Sequence, residues 1–152
     1  MSEVWYESFK VGDTVRSPGK TLSEGEIIDW AFQYDPQPFH IDKTAAKESI
    51  YGGIIASGWQ IAAVAFRMLM HTNIFGNASL GSPGLDELRW RQPVRPGDTI
   101  STVVRVTETR VSKSKPDRGL VTLSYEIVNQ NDEVVASFKA VQLLRRRPEE
   151  VA

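Results

Sequence analysis

The sequence predicts an α+β fold in which one antiparallel β-sheet curls around a single long, nearly all-apolar helix. From Ser57 to Met70 the chain is apolar around most of a helical circumference, with no proline and no glycine after Gly58. A helix of that composition has to be wrapped by other structure. From Leu85 onward the chain is strand-like. Ile100, Thr102, Val104 and Val106 alternate with Ser101, Val103, Arg105 and Thr107, and Val121, Leu123, Tyr125 and Ile127 alternate with Thr122, Ser124 and Glu126. That is the period of strands with one better-buried face. Turns at Arg95-Pro96-Gly97-Asp98 and Asn129-Gln130-Asn131-Asp132 separate the runs, and long strands joined by short turns are antiparallel neighbours. Curling the sheet around the helix buries both.

The remaining elements follow in chain order. Val11-Gly12-Asp13 is a turn signal ahead of a short strand at Thr14 to Ser17. Ser23 with Glu26 forms a capping-box pattern that opens a helix, with Ile27, Trp30, Ala31 and Tyr34 on one face. Asp35-Pro36 ends it, because the residue before proline avoids helical geometry. Asp42 is positioned to cap a short helix over Lys43 to Lys47, broken at Gly52-Gly53. The segment from Gly76 to Gly84 reads as a glycine-rich connection, and Val134 to Leu144 as the last strand. One domain is expected over 1–152, with 145–152 a frayed polar tail.

Composition bounds the function. A chain of 152 residues is long enough to bury a core without metal or disulfide staples. It has no cysteine, hence no disulfide, redox motif or thiolate metal site. Eighteen Lys+Arg against nineteen Asp+Glu, a formal charge of −1, argue against a nucleic-acid partner. The start, Met1 to Glu7, lacks the basic and apolar segments of a secretory signal. The apolar run from Ile61 to Met70 is too short to span a bilayer. A cytoplasmic protein without membrane partners is expected.

The chemistry concentrates in Tyr34-Asp35-Pro36-Gln37-Pro38-Phe39-His40. Here a carboxylate and an imidazole sit five positions apart on backbone that two prolines are expected to keep out of a helix. Histidine is the side chain that exchanges protons near neutrality, so Asp35 and His40 read either as an acid/base pair or as a loop-turning aspartate beside a partly buried histidine. Downstream, Gly52 to Gly58 leads into the apolar helix. Free N–H groups at a helix start can hold developing negative charge, and a glycine there admits close approach of a ligand. Ser57 lacks a G-x-S-x-G context and reads as the helix N-cap. His71 follows the helix as a C-terminal cation. Arg89, Arg91 and Arg95, with Lys113, Lys115 and Arg118, are either phosphate-reaching or simply solvated. Two histidines without a Glu-x-x-His pattern give no expectation of a catalytic metal.

Three stretches together resemble the MaoC-like dehydratases, whose relatives include the (R)-specific enoyl-CoA hydratases. They are Asp35-Pro36-Gln37-Pro38-Phe39-His40, Gly52-Gly53-Ile54-Ile55-Ala56-Ser57-Gly58-Trp59 and Pro93-Val94-Arg95-Pro96-Gly97-Asp98. The resemblance implies a hot-dog fold, a homodimer or dimer of dimers, and reversible addition of water to a trans-2-enoyl thioester. It implies neither metal nor redox cofactor, coenzyme A entering only as part of the substrate, and it leaves acyl-CoA and acyl-carrier-protein thioesters both open. Asp35 and His40 match the catalytic pair of the family, and Gly58 matches the glycine whose N–H serves the thioester oxygen. Gln37 stands where the family pattern has Asn, Ser57 where a His often precedes the glycine, and Trp59 follows it. All three are expected to contact substrate. The competing readings are a hot-dog acyl-CoA thioesterase and a non-catalytic acyl-thioester-binding protein.

Overall fold

Strands β5 (Thr99–Val111), β6 (Arg118–Val128) and β7 (Val134–Arg145) form the middle of a seven-stranded antiparallel sheet in a computed structural model that describes residues 3–152. The order is β1 (Thr14–Arg16), β5, β6, β7, β3 (Ser79–Gly81), with β2 (Lys20–Thr21) also on β5 and β4 (Leu85–Trp90) also on β7. The register aligns the inward positions: Val104 faces Tyr125, which faces Phe138, and Val106 faces Leu123, which faces Ala140. All six are buried. Alternation at period two therefore reports the inner face faithfully.

Helix α4 (Gly58–Met70) lies in the concavity with Ile61, Ala65 and Leu69 buried, a spacing of four that follows one side of a helix. The Thr102 hydroxyl on β5 donates to the Ala65 carbonyl at 2.8 Å and fixes the helix against the sheet. The expectation that α4 is wrapped all round does not hold for this chain. One sheet covers one side of a cylinder, and on the other side Trp59 is 60% and Phe66 45% exposed.

Helix α1 (Glu24–Tyr34) is capped as the sequence predicts, Ser23 and Glu26 closing a reciprocal box. Ile27 and Ala31 are buried, while Trp30 is half-buried and Tyr34 is exposed, so the inner stripe is narrower than expected. Asp42 accepts from Thr44 and Ala45 N–H at 3.0 Å each and starts α3 (Lys43–Glu48).

Three further expectations change. The glycine-rich segment contains β3, whose Ser79 pairs with Leu144. Backbone pairing with β7 supplies there what residue type does not. The second proline of the Asp35–His40 loop does not keep the chain out of a helix. Pro38 opens a single turn, α2 (Pro38–Ile41), at the one position where its missing N–H costs nothing. The tail is also anchored at its start: Arg145 belongs to β7, Arg146 pairs with Glu7 at 3.0 Å, and the Arg147 N–H donates to the same carboxylate. A last turn, α5 (Pro148–Val151), follows. Among the described residues no helix is long and apolar enough to cross a membrane.

Candidate active site

Asp35 is the residue at which α1 stops. Its N–H still bonds the Ala31 carbonyl at 2.8 Å, but its own φ of −151° has left the helix, and Pro36 turns the chain away. Two residues on, Pro38 begins α2 and carries His40 inward, leaving its side chain 5% exposed. The chain then returns through Ile54 to Ala56, where the Ala56 N–H bonds Val94 O at 2.8 Å. This pairing delivers Ser57 and Gly58 to the start of α4 directly beside Asp35.

Four side chains interlock at that point. The His40 ring faces the Ile55 carbonyl through Nδ1 at 2.7 Å and Asp35 Oδ2 through Nε2 at 3.3 Å. A carbonyl only accepts, so Nδ1 carries a proton and Nε2 is the nitrogen left to exchange one. Ser57 Oγ donates to Asp35 Oδ2 at 2.6 Å while accepting the Trp59 N–H at 3.3 Å, and Gln37 Nε2 donates to Asp35 Oδ1 at 2.7 Å. Burial pushes the Asp35 carboxyl up. The hydrogen bonds from Ser57 and Gln37, joined by His40 when its ring is protonated, outweigh it and hold the group below the usual carboxylate range. Asp35 is thus a fixed anion near neutral pH.

The pair opens onto a cavity of about 480 Å3 whose walls include Gln37, Gly58, Trp59 and Trp90. Gly58 is the first residue of α4, and its N–H has no hydrogen-bond partner among the described residues. That N–H, with the helix dipole behind it, is a donor for an oxyanion. A Cβ at Gly58 would drive into the Trp90 indole, so only glycine lets strand β4 and the helix start approach this closely. Trp90 in turn meets Trp59 edge to face at 5.8 Å between ring centroids. A second depression, about 500 Å3, lies at the far end of α4 and, among the described residues, has Asp13 as its only ionisable wall residue, so these offer no acid/base pair.

Asp35, His40, Gly58, Gln37 and Trp59 therefore come together around one cavity. Ser57 does not contact it. The residue is fully buried, and its hydroxyl is committed to Asp35 and to the helix N-terminus, so it orients the carboxylate rather than touching a ligand. His71 caps the other end of α4, about 20 Å away by helical rise. Sequence reasoning missed two partners. The Ile55 carbonyl that sets the His40 tautomer is backbone and leaves no residue-type signal. Trp90 did leave one: a large aromatic in the strand Leu85-Asp86-Glu87-Leu88-Arg89-Trp90, which is otherwise mostly charged.

A crystal structure of a MaoC-like dehydratase from Rhodospirillum rubrum superposes with a TM-score of 0.85 at 36% identity, over 96% of this chain and 99% of that one. The (R)-specific enoyl-CoA hydratase of Rhodospirillum rubrum is 28% identical over 109 residues, 68% of this chain and 69% of that protein. The Mycobacterium tuberculosis protein Rv0216, described as a double hot-dog fold, superposes at 0.82 with 21% identity, over 96% of this chain and 45% of that one. The curved sheet seated on α4 is a hot-dog fold. The sequence model of the MaoC like domain matches residues 8–131, and the chain belongs to that family.

Proposed function

We propose that this protein is a hydro-lyase that adds water reversibly to a trans-2-enoyl thioester, giving a 3-hydroxyacyl thioester. The observation that carries the reading is the convergence of Asp35, His40 Nε2 and the unpartnered Gly58 N–H on one cavity. Neutral His40 would set its Nε2 lone pair against the Asp35 carboxylate at 3.3 Å, an unfavourable contact. A water molecule donating one hydrogen to each resolves it, and that water is the nucleophile. The family membership and the relative named an (R)-specific enoyl-CoA hydratase support the same chemistry.

The step balances within the pair. His40 Nε2 takes a proton as the water oxygen bonds to C3, the C2=C3 electrons move toward the thioester, and the Gly58 N–H receives the charge on its oxygen. The imidazolium then returns a proton to C2, and His40 ends as it began. Asp35 remains an anion throughout, aligning the water and stabilising the imidazolium. Proton transfer by a positioned group contributes on the order of 10² to 10⁴ in rate, and one oxyanion donor roughly 10² to 10³. Coenzyme A or an acyl carrier enters only as part of the substrate.

The test is incubation with crotonyl-CoA, following the conjugated enoyl absorbance and free thiol together. Loss of absorbance without thiol is expected. Thiol release without hydration would make the protein a thioesterase, and neither signal would make it a binding protein.

We also assign a homodimer to the chain. The exposed side of α4, with Trp59, Phe66 and Met70, and the exposed Leu85 and Trp90 on β4 form apolar surface that a second copy would cover. Light scattering at twice the chain mass of 17.0 kDa is the expected result.

A further inference from the structure

The turn Ser49-Ile50-Tyr51-Gly52-Gly53, between α3 and α4, supplies Tyr51 to the cavity wall and has little of its own to hold it there. Ile50 at its tip is 94% exposed, and Gly52 reverses the chain at a φ of +66°. The Tyr51 N–H donates to Ser49 Oγ at 3.2 Å and the Gly52 N–H to the Ser49 carbonyl at 3.0 Å, which closes the turn only on itself. Among the described residues one hydrogen bond ties it to a distant part of the chain. Arg95 Nη2 donates to the Tyr51 carbonyl at 2.5 Å. Gly53 lies under the same guanidinium, where a Cβ would stand 3.4 Å from Nη1. No carboxylate oxygen comes within 4 Å of that guanidinium among the described residues, so nothing there competes for it. Arg95 itself stands on a firm base. Its N–H donates to Asp98 Oδ2 and Gln130 Nε2 donates to Asp98 Oδ1, at 2.9 Å each. Fully buried Leu22 bonds the same turn twice, through its N–H to the Asp98 carbonyl and its carbonyl to the Gly97 N–H. From Tyr51 the contacts run inward. Its ring is tilted on Phe39 with centroids 5.1 Å apart, and Phe39 meets the His40 ring edge to face at 4.6 Å. Tyr51 and Phe39 line the cavity, whereas Arg95 stands behind them.

We propose that Arg95 is a positioning residue that sets the acyl specificity of the site from outside the cavity, by clamping the Tyr51 turn so that the Tyr51 ring stays packed on Phe39. The acyl ligand comes from the thioester reading above, on which this rests. What it adds is control of the cavity wall from a remote turn. A ring already ordered before the ligand arrives strengthens binding, because less freedom is lost on association. A fixed Tyr51 gives a short acyl chain its contact and denies a longer one room; a loose Tyr51 does neither.

The experiment measures binding of butyryl-CoA and octanoyl-CoA by calorimetry, so that nothing depends on turnover. The proteins are wild type, Arg95→Gln, Arg95→Lys, Tyr51→Ala and the double variant Tyr51→Ala/Arg95→Gln. Arg95→Gln should weaken butyryl-CoA about tenfold, the scale of one hydrogen bond from a charged donor, and octanoyl-CoA by less than about twofold. Arg95→Lys keeps a charged donor without the planar fork and should recover part of the loss. On the Tyr51→Ala background Arg95→Gln should change neither ligand, because a residue that acts through Tyr51 then has no ring left to place. A role in general stability alone would weaken both ligands and act on either background. The proposal is overturned if Arg95→Gln binds butyryl-CoA like wild type, if both acyl-CoAs weaken equally, if lysine recovers nothing, or if the Arg95 and Tyr51 losses add. Wild type binding neither ligand would overturn it together with the thioester reading. Failure to hydrate crotonyl-CoA with the binding pattern intact would sink the reaction and leave the clamp standing.

Discussion

The Ser57 hydroxyl donates to Asp35 Oδ2 at 2.6 Å while accepting the Trp59 N–H, so one buried serine ties the carboxylate to the start of α4. Its removal should act in two separable ways. Loss of the cap in Ser57→Ala should cost about 1–2 kcal/mol of stability. Loss of a hydrogen bond to the charged form should raise the Asp35 carboxyl from its lowered value, read directly by carbon NMR titration of that carboxyl. A serine that only caps the helix would lower stability and leave the carboxyl titration in place. The titration, beside a thermal melt, decides between them.

The acid/base pair itself predicts that Asp35→Asn and His40→Gln each lower turnover by at least about two orders of magnitude with the fold retained. Asp35→Asn carries a second consequence. A carboxyl held below its unfolded value contributes stability above the unfolded pKa, and loses it as pH falls through the folded one, because the unfolded chain binds the proton first. Melting temperature should therefore fall more steeply for wild type than for Asp35→Asn below the ordinary carboxylate range. Near-normal turnover in either variant, with circular dichroism unchanged, removes that residue from the mechanism.

The parts legible in the sequence were those with a residue-type signature. Ser23 and Glu26 announced the α1 cap, alternation through Val104 and Leu123 announced the inner face of the sheet, and Asp35 and His40, five positions apart, pointed to the pair that meets at 3.3 Å. What escaped was determined by backbone and by neighbours distant in sequence. β3 exists because Ser79 meets Leu144, α2 because Pro38 happens to occupy the first position of a turn, and the His40 tautomer because Ile55 O lies opposite Nδ1. The exposed side of α4, with Trp59 and Phe66, differs from expectation for a related reason. An apolar residue type does not say which surface covers it.

Gly58 and Trp90 are mutually dependent. Ala at position 58 keeps the backbone N–H but places a methyl within the Trp90 indole, an overpacking that typically costs about 1–3 kcal/mol. Gly58→Ala should therefore destabilise the protein and depress hydration together. Adding Trp90→Leu should recover stability, so that the double variant loses less than the sum of the singles. Additive losses in urea titrations would mean that the indole has room to yield and that glycine is needed at this position for some other reason.

The Trp59–Trp90 contact, edge to face at 5.8 Å, predicts the acyl preference. Trp59 is the more exposed of the two and is packed on the helix side of the cavity rather than in the core, so shortening it opens space with little loss of fold. With Trp59 in place the aromatic wall is expected to favour acyl chains of only a few carbons beyond the reacting double bond. Trp59→Leu should then raise kcat/KM for a 2-octenoyl thioester relative to crotonyl by about tenfold, the scale of one or two methylenes gaining apolar contact. The crotonyl rate itself should change little, since Gly58 N–H, Asp35 and His40 are untouched. An unchanged chain-length profile across a series of enoyl-CoA substrates would show that the acyl chain leaves the cavity by another wall, and would place Tyr51 and Phe39, on the same cavity, next in line for substitution.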